Sequence, residues 1–145
     1  MSIRTSPADG TRRKSCEAFM GFFIVFIGAG IGGMARHGIN LAAFRLLGAG
    51  GFPAGTLLIN VAGSFLMGLV IEIFAQKSGL SPSLRLFLTT GILGGFTTFS
   101  AFSAETVFLI ESGQTGYAAL YVLLSVLLSV GALFLALMLM RAMLA

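Results

Sequence analysis

The chain has 145 residues, of which 57% are hydrophobic and 10% charged, and its mean hydropathy is +0.99. An ordinary soluble domain carries about a quarter charged residues, so too few polar side chains exist to cover a soluble surface; a disordered chain, which needs low hydrophobicity and high charge, is excluded too. Nine basic residues stand against five acidic ones, but four of the nine (Arg4, Arg12, Arg13 and Lys14) fall within the first 14 residues. The body is only mildly basic, and its Lys and Arg read as interfacial anchors rather than as a nucleic-acid surface.

Residues 1–19 mix Arg, Lys, Ser, Thr, Pro and Asp with no apolar period. They read as a basic, disordered cytoplasmic tail. A signal peptide is disfavoured because the apolar stretch runs on into a full span. Met20 directly precedes that stretch and is an alternative start. The single cysteine, Cys16, allows no intrachain disulfide and reads as an inert tail thiol.

From residue 20 on, the charges divide the chain. Uncharged runs of 18, 26, 19 and 29 residues lie between Glu17 and Arg36, Arg45 and Glu72, Arg85 and Glu105, and Glu111 and Arg141. A helix needs about 20 mostly apolar residues to cross the hydrocarbon core. Four transmembrane helices follow, at about residues 20–46, 55–76, 84–110 and 116–141, forming one membrane domain over 20–145. The runs are solidly apolar, without the alternation of transmembrane strands, so the fold class is all-α. With both ends on one side, that side holds Arg4, Arg12, Arg13, Lys14, Lys77, Arg85 and Arg141 against Arg45 and Arg36 on the other. Both ends therefore belong in the cytoplasm. Without residues 1–19 the bias nearly vanishes, and insertion in both orientations becomes permissible.

The first span contains Gly28-Ala29-Gly30-Ile31-Gly32-Gly33, a superficial echo of a dinucleotide loop. It has no preceding strand and reads as helix packing. Arg36 lies deep in the same span. In the second span Gly63 and Ser64 share a face with Asn60, where small residues let helices approach. Asn60 reads either as an interhelical hydrogen bond or as an uncharged donor that replaces water around an anion.

The third span runs Gly94-Gly95-Phe96-Thr97-Thr98-Phe99-Ser100-Ala101-Phe102-Ser103-Ala104-Glu105. A Gly-Gly pair followed by β-branched residues weakens a helix, and non-helical backbone in a membrane must be buried by protein or line a cavity. This segment reads as a glycine kink or as a broken helix exposing ion-binding carbonyls. Phe99 and Phe102 stack on one face, either as packing aromatics or with their positive ring edges toward an anion. Glu105 is a charge within the membrane, and such groups face a cavity or pair with a partner; an Arg36–Glu105 pair is one solution. In the fourth span Tyr121, Ser125 and Ser129 stand four apart, as a polar stripe or as hydroxyls bonded to their own helix.

These segments together resemble the small bacterial fluoride channels, the Fluc or CrcB family. The likeness runs from about Gly28 to Arg141. It rests on Gly32-Gly33-Met34-Ala35-Arg36, on Gly55-Thr56-Leu57-Leu58-Ile59-Asn60 with Gly63-Ser64-Phe65, and on Gly94 to Ser103, with Tyr121, Ser125 and Ser129 at matching spacing. The resemblance implies four transmembrane helices per subunit with the third broken near Gly94–Thr98, and an antiparallel, dual-topology homodimer with two pores at its interface. It implies a fluoride pathway past Asn60, Phe99, Phe102, Tyr121, Ser125 and Ser129. It also implies a structural sodium ion held by backbone carbonyls of Gly94 and Thr97 from both subunits, and passive fluoride export across the bacterial inner membrane, in contact with lipid.

Three departures stand out. His37 takes the place of a usual aromatic residue, Ala101 replaces a frequent Thr, and the basic tail favours one orientation, as in a heterodimer with a paired homologue. The rival readings are a small multidrug exporter, which expects a carboxylate in the first span, and a non-transporting membrane scaffold. An enzyme lacks any nucleophile–base pair.

Overall fold

The computed structural model describes residues 7–48 and 51–144, and they are built of helices. Helix α1 spans Pro7–Leu47 and α2 spans Ala54–Gln76. The third pass is composite: α3 (Pro82–Leu86), a π-helical segment (Phe87–Leu93), α4 (Gly94–Phe96) and α5 (Phe99–Glu111). Helix α6 spans Thr115–Leu144. Four stretches are long and apolar enough to cross a membrane: Glu17–Leu47, Ala54–Gln76, Pro82–Glu111 and Thr115–Leu144. The protein is a multi-pass membrane protein.

Helix α1 is longer than the first span. Its 41 residues run unbroken from Pro7, so it begins ahead of the apolar run. Polarity marks where the membrane ends, not where the helix ends. Extending an existing helix adds one hydrogen bond per residue without a new nucleus, and Arg12, Arg13, Lys14, Glu17 and Ala18 are good helix formers. Arg4 lies outside the described residues. At the end of α5, Gly113 takes φ +76° while the Gln114 amide donates to the Leu109 carbonyl at 2.8 Å, a helix stop that needs a left-handed residue.

Two seams build the bundle. In the first, α1 lies on the third pass with backbone against backbone. A Cβ added to Gly28 would come within 2.8 Å of the Gly91 Cα, one on Gly95 within 2.7 Å of the Ala29 Cα, and one on Gly32 would strike the Ile92 carbonyl. Close approach of this kind is how helices associate where lipid removes the hydrophobic driving force. Gly30 and Gly33 meet nothing nearby.

The second seam joins α2 and α6. Gly68 sits against the Leu133 carbonyl and the Ala136 Cβ, Glu72 bonds Arg141, and Thr56 and Tyr121 share Glu105. Partners advance together along both helices, so α2 and α6 run parallel. Tyr121, Ile59 and Leu109 are the largest apolar side chains that are fully buried among the described residues. Phe22, Phe26, Leu127 and Met138 point outward, as suits side chains facing acyl chains.

Candidate functional site

The site begins at two residues of extended backbone. Between α4 and α5, Thr97 has φ −77° and ψ 154°, and Thr98 has φ −150° and ψ 119°. Such a segment strands polar groups that must find partners in a low-dielectric setting. Asn60 supplies them. Its Nδ2 donates to the Thr98 carbonyl at 3.2 Å, and the Thr98 amide donates to its Oδ1 at 2.9 Å. One carboxamide thus pairs with the Thr98 backbone as a neighbouring strand would. Thr98 also caps α5, its Oγ1 accepting from the Ala101 amide at 3.2 Å.

These bonds have a consequence for the carbonyls behind them. In a continuous helix the Thr98 amide would donate to Gly94 and the Ala101 amide to Thr97. Both are diverted, one to Asn60 and one to the Thr98 hydroxyl. The Gly94 and Thr97 carbonyl oxygens lose their helical donors, and Gly94 lies on the exposed surface.

A groove of about 350 Å³ opens beside this point. Asn60, Thr97, Thr98, Phe99, Phe102, Ser125 and Ser129 line it, and Met67 and Leu133 extend it along α2 and α6 as an apolar end. The Oγ atoms of Ser125 and Ser129 are buried without a hydrogen-bond partner. Other hydroxyls bond locally: Ser103 Oγ donates to the Phe99 carbonyl, and Thr106 Oγ1 to that of Phe102. An unpaired buried hydroxyl costs about 1–3 kcal/mol, so two on one wall mark a surface suited to a polar guest. Phe99 is 79% exposed; Phe102 is half-buried, and their ring centroids are 5.5 Å apart. Uncharged donors beside aromatic rings can replace the water around a small anion without a fixed charge to trap it.

Five of the six residues expected on the pathway line this groove: Asn60, Phe99, Phe102, Ser125 and Ser129. Tyr121 does not. It is fully buried and donates to Glu105 Oε2 at 2.7 Å, while Thr56 Oγ1 donates to Oε1 at 2.7 Å. Its ring packs on Phe102 and Phe52, at centroid distances of 5.2 and 5.7 Å. A second cavity, of about 290 Å³, lies on the far side of this cluster between Asn40, Thr56 and Glu105. Glu105 is therefore satisfied by two hydroxyls. Arg141 forms an ion pair with Glu72, and the partners of Glu105 are Thr56 and Tyr121 rather than Arg36. Arg36 is half-buried on α1.

Sequence reasoning missed Thr56, the Thr98 backbone and the Glu72–Arg141 pair. A signal existed for the side chains. Thr56, Asn60, Ser64, Gly68 and Glu72 recur every fourth residue, as do Tyr121, Ser125, Ser129 and, further on, Leu133 and Arg141.

A family model described as CrcB-like protein, Camphor Resistance (CrcB), matches residues 23–137, most of the chain. The chain belongs to the CrcB family. Several curated CrcB relatives carry the name "Fluoride-specific ion channel FluC". One from Granulibacter bethesdensis is 65% identical over 122 residues, covering 84% of this chain and 95% of the relative. One from Methylobacterium nodulans is 61% identical over 103 residues, covering 71% and 82%. A third, from Rhodopseudomonas palustris, is 54% identical over 123 residues, covering 85% and 98%.

Proposed function

We propose that this CrcB protein is a fluoride-selective channel that lets cytoplasmic fluoride leave passively across the bacterial inner membrane, and that it is not an enzyme. The observation that carries the reading is the pair of unpartnered hydroxyls, Ser125 and Ser129, facing one groove with Asn60, Phe99 and Phe102. It is joined by the fluoride-channel name of relatives up to 65% identical. Fluoride is small and strongly hydrated, so a selective path needs close donors that replace its water. The serines, the second Nδ2 hydrogen of Asn60 and the ring edges of Phe99 and Phe102 provide them. Tyr121 acts one step back from the ion, holding Glu105 with its hydroxyl and supporting Phe102 with its ring.

The working unit in this reading is an antiparallel dimer with two pores. The groove is open on one side and Phe99 is mostly exposed, which a second copy or a paired homologue would cover. We read Thr97 and Thr98 as the interruption of the third span. The freed carbonyls of Gly94 and Thr97 suit a hard cation such as sodium, which prefers oxygen donors; two subunits would contribute four. Sodium there would serve as a structural bridge, with no part in conduction.

The test is fluoride efflux from liposomes holding the purified protein, read with a fluoride electrode against a chloride control. Rapid fluoride loss with little chloride loss supports the channel. A folded, dimeric protein that releases neither ion rejects the homodimeric channel, and co-expression with a paired homologue then decides whether a second chain is needed. Removing sodium is expected to dissociate the dimer and stop efflux, read by size-exclusion chromatography.

A further inference from the structure

Beyond the apolar end of the groove lies a charge cluster that the pathway does not use. Along the α2–α6 seam, Gly68 rests on the Leu133 carbonyl, and one turn further Glu72 is only 6% exposed. Arg141, in the last turn of α6, reaches back so that its Nε donates to Glu72 Oε2 at 3.0 Å. Gln76 Nε2 donates to the other oxygen at 2.8 Å. The arginine side chain is 64% exposed and that of the glutamate 7%. The carboxylate faces the protein and the guanidinium faces out.

A carboxylate buried in an apolar seam is costly unless paired. A neutral side chain would close the same seam without that cost, so the pair invites a functional account. Its position offers one. Met67 lines the groove, and Glu72 follows five residues later, about 7.5 Å along the helix axis. A lone carboxylate at that range repels an anion in the groove through a poorly screening medium. A lone cation there would hold the anion back by attraction.

We propose that Arg141 is the charge cover of Glu72, and that the pair keeps this end of the anion groove electrically neutral, so that the ion is neither repelled nor trapped. The inference rests on the channel reading above. Arg141 acts through Glu72 and is a positioning residue of charge, not a ligand.

The experiment compares fluoride efflux of the full chain, Arg141→Gln, Glu72→Gln, the double variant and Arg141→Lys, each reconstituted after its assembly has been checked by size exclusion. At low ionic strength Arg141→Gln is expected to slow efflux about tenfold, and salt is expected to shrink that loss. The double variant is expected within about twofold of the unmodified chain, because removing the unpaired carboxylate removes the repulsion. Arg141→Lys, which keeps the charge, is expected to stay near the unmodified rate even if Arg141→Gln assembles poorly. The proposal is overturned if an assembled Arg141→Gln conducts at the full rate, if the double variant is as slow as Arg141→Gln, or if Arg141→Lys assembles and is equally slow. An unmodified protein that releases no fluoride overturns the channel reading itself, and this proposal with it.

Discussion

The two seams of the bundle are held by different physics. Where α1 crosses the third pass, Gly28 and Gly32 press on Gly91 and Ile92, and Gly95 presses on Ala29, so the contact is backbone on backbone. Where α2 runs beside α6, polar groups recur along the seam: the Thr56–Glu105–Tyr121 cluster at one end, Glu72–Arg141 at the other, and Ser125 and Ser129 between. At Gly28, Gly32 and Gly95 the first seam leaves no room for a side chain. The second is bonded at both ends and leaves its middle unsatisfied. Apolar packing in lipid rests on closeness alone, whereas a polar guest needs donors held in place but not used up. The contrast is why we propose the anion pathway on the seam whose hydrogen bonds are incomplete.

The largest expected effect breaks the glycine seam. Gly32→Val pushes a branched side chain into the Ile92 carbonyl and the Phe96 amide, neither of which can yield without moving a helix. We expect a loss of about 3 kcal/mol or more, seen as failure to recover a monodisperse protein in detergent; a normally assembled variant would mean that α1 does not rest on the third pass. Next comes Asn60→Ala, which leaves the Thr98 amide and carbonyl unpaired. At about 1–3 kcal/mol for each stranded group, thermal unfolding should fall clearly and fluoride efflux should be lost. Asn60→Asp separates the two roles: it still accepts from the Thr98 amide but adds a negative charge to the groove, so efflux should fall more than stability does.

Glu105→Gln gives a smaller effect. An amide accepts through one oxygen only, so either Thr56 or Tyr121 must reverse its bond and accept from the amide nitrogen, and both bonds lose their charge assistance, at about 1–2 kcal/mol. Efflux should drop modestly, and an unchanged melting temperature would show that the cluster adds nothing to the seam. The smallest loss of stability is expected for Ser125→Ala and Ser129→Ala. Neither hydroxyl has a partner to lose, so stability should hold or rise, by up to the about 1–3 kcal/mol that an unpaired hydroxyl costs. Fluoride efflux should nonetheless fall several-fold. Lost stability with full efflux would move both serines from the pathway into packing and erase the contrast between the seams.

Much of this was legible from residue types and spacing. Four charge-free runs are enough to specify four spans, because the bilayer admits only helices of that length. The third pass carries Gly94-Gly95 before Thr97-Thr98, residues that weaken a helix. The every-fourth stripe of α6 showed Ser125 and Ser129 on one face. The start of α1 was not legible, because a polar helix and a polar coil have similar composition. Tyr121 was legible as part of the stripe but not in its role, because spacing along one helix does not show which neighbour a hydroxyl meets.

The sequence by itself determined the number of spans, the helical class and which polar residues stand at helical spacing within the spans, all of which depend on hydropathy and local periodicity. The tertiary structure decided how those residues are used. Only the approach of α2 to the third pass turns Asn60 into the partner of the Thr98 backbone and frees the Gly94 and Thr97 carbonyls. Only the parallel α2–α6 seam brings Glu72 to Arg141 and assigns Glu105 to two hydroxyls rather than to Arg36. The reason is that a polar group in an apolar setting is defined by the partner it finds, and partners far apart in the chain are chosen by packing.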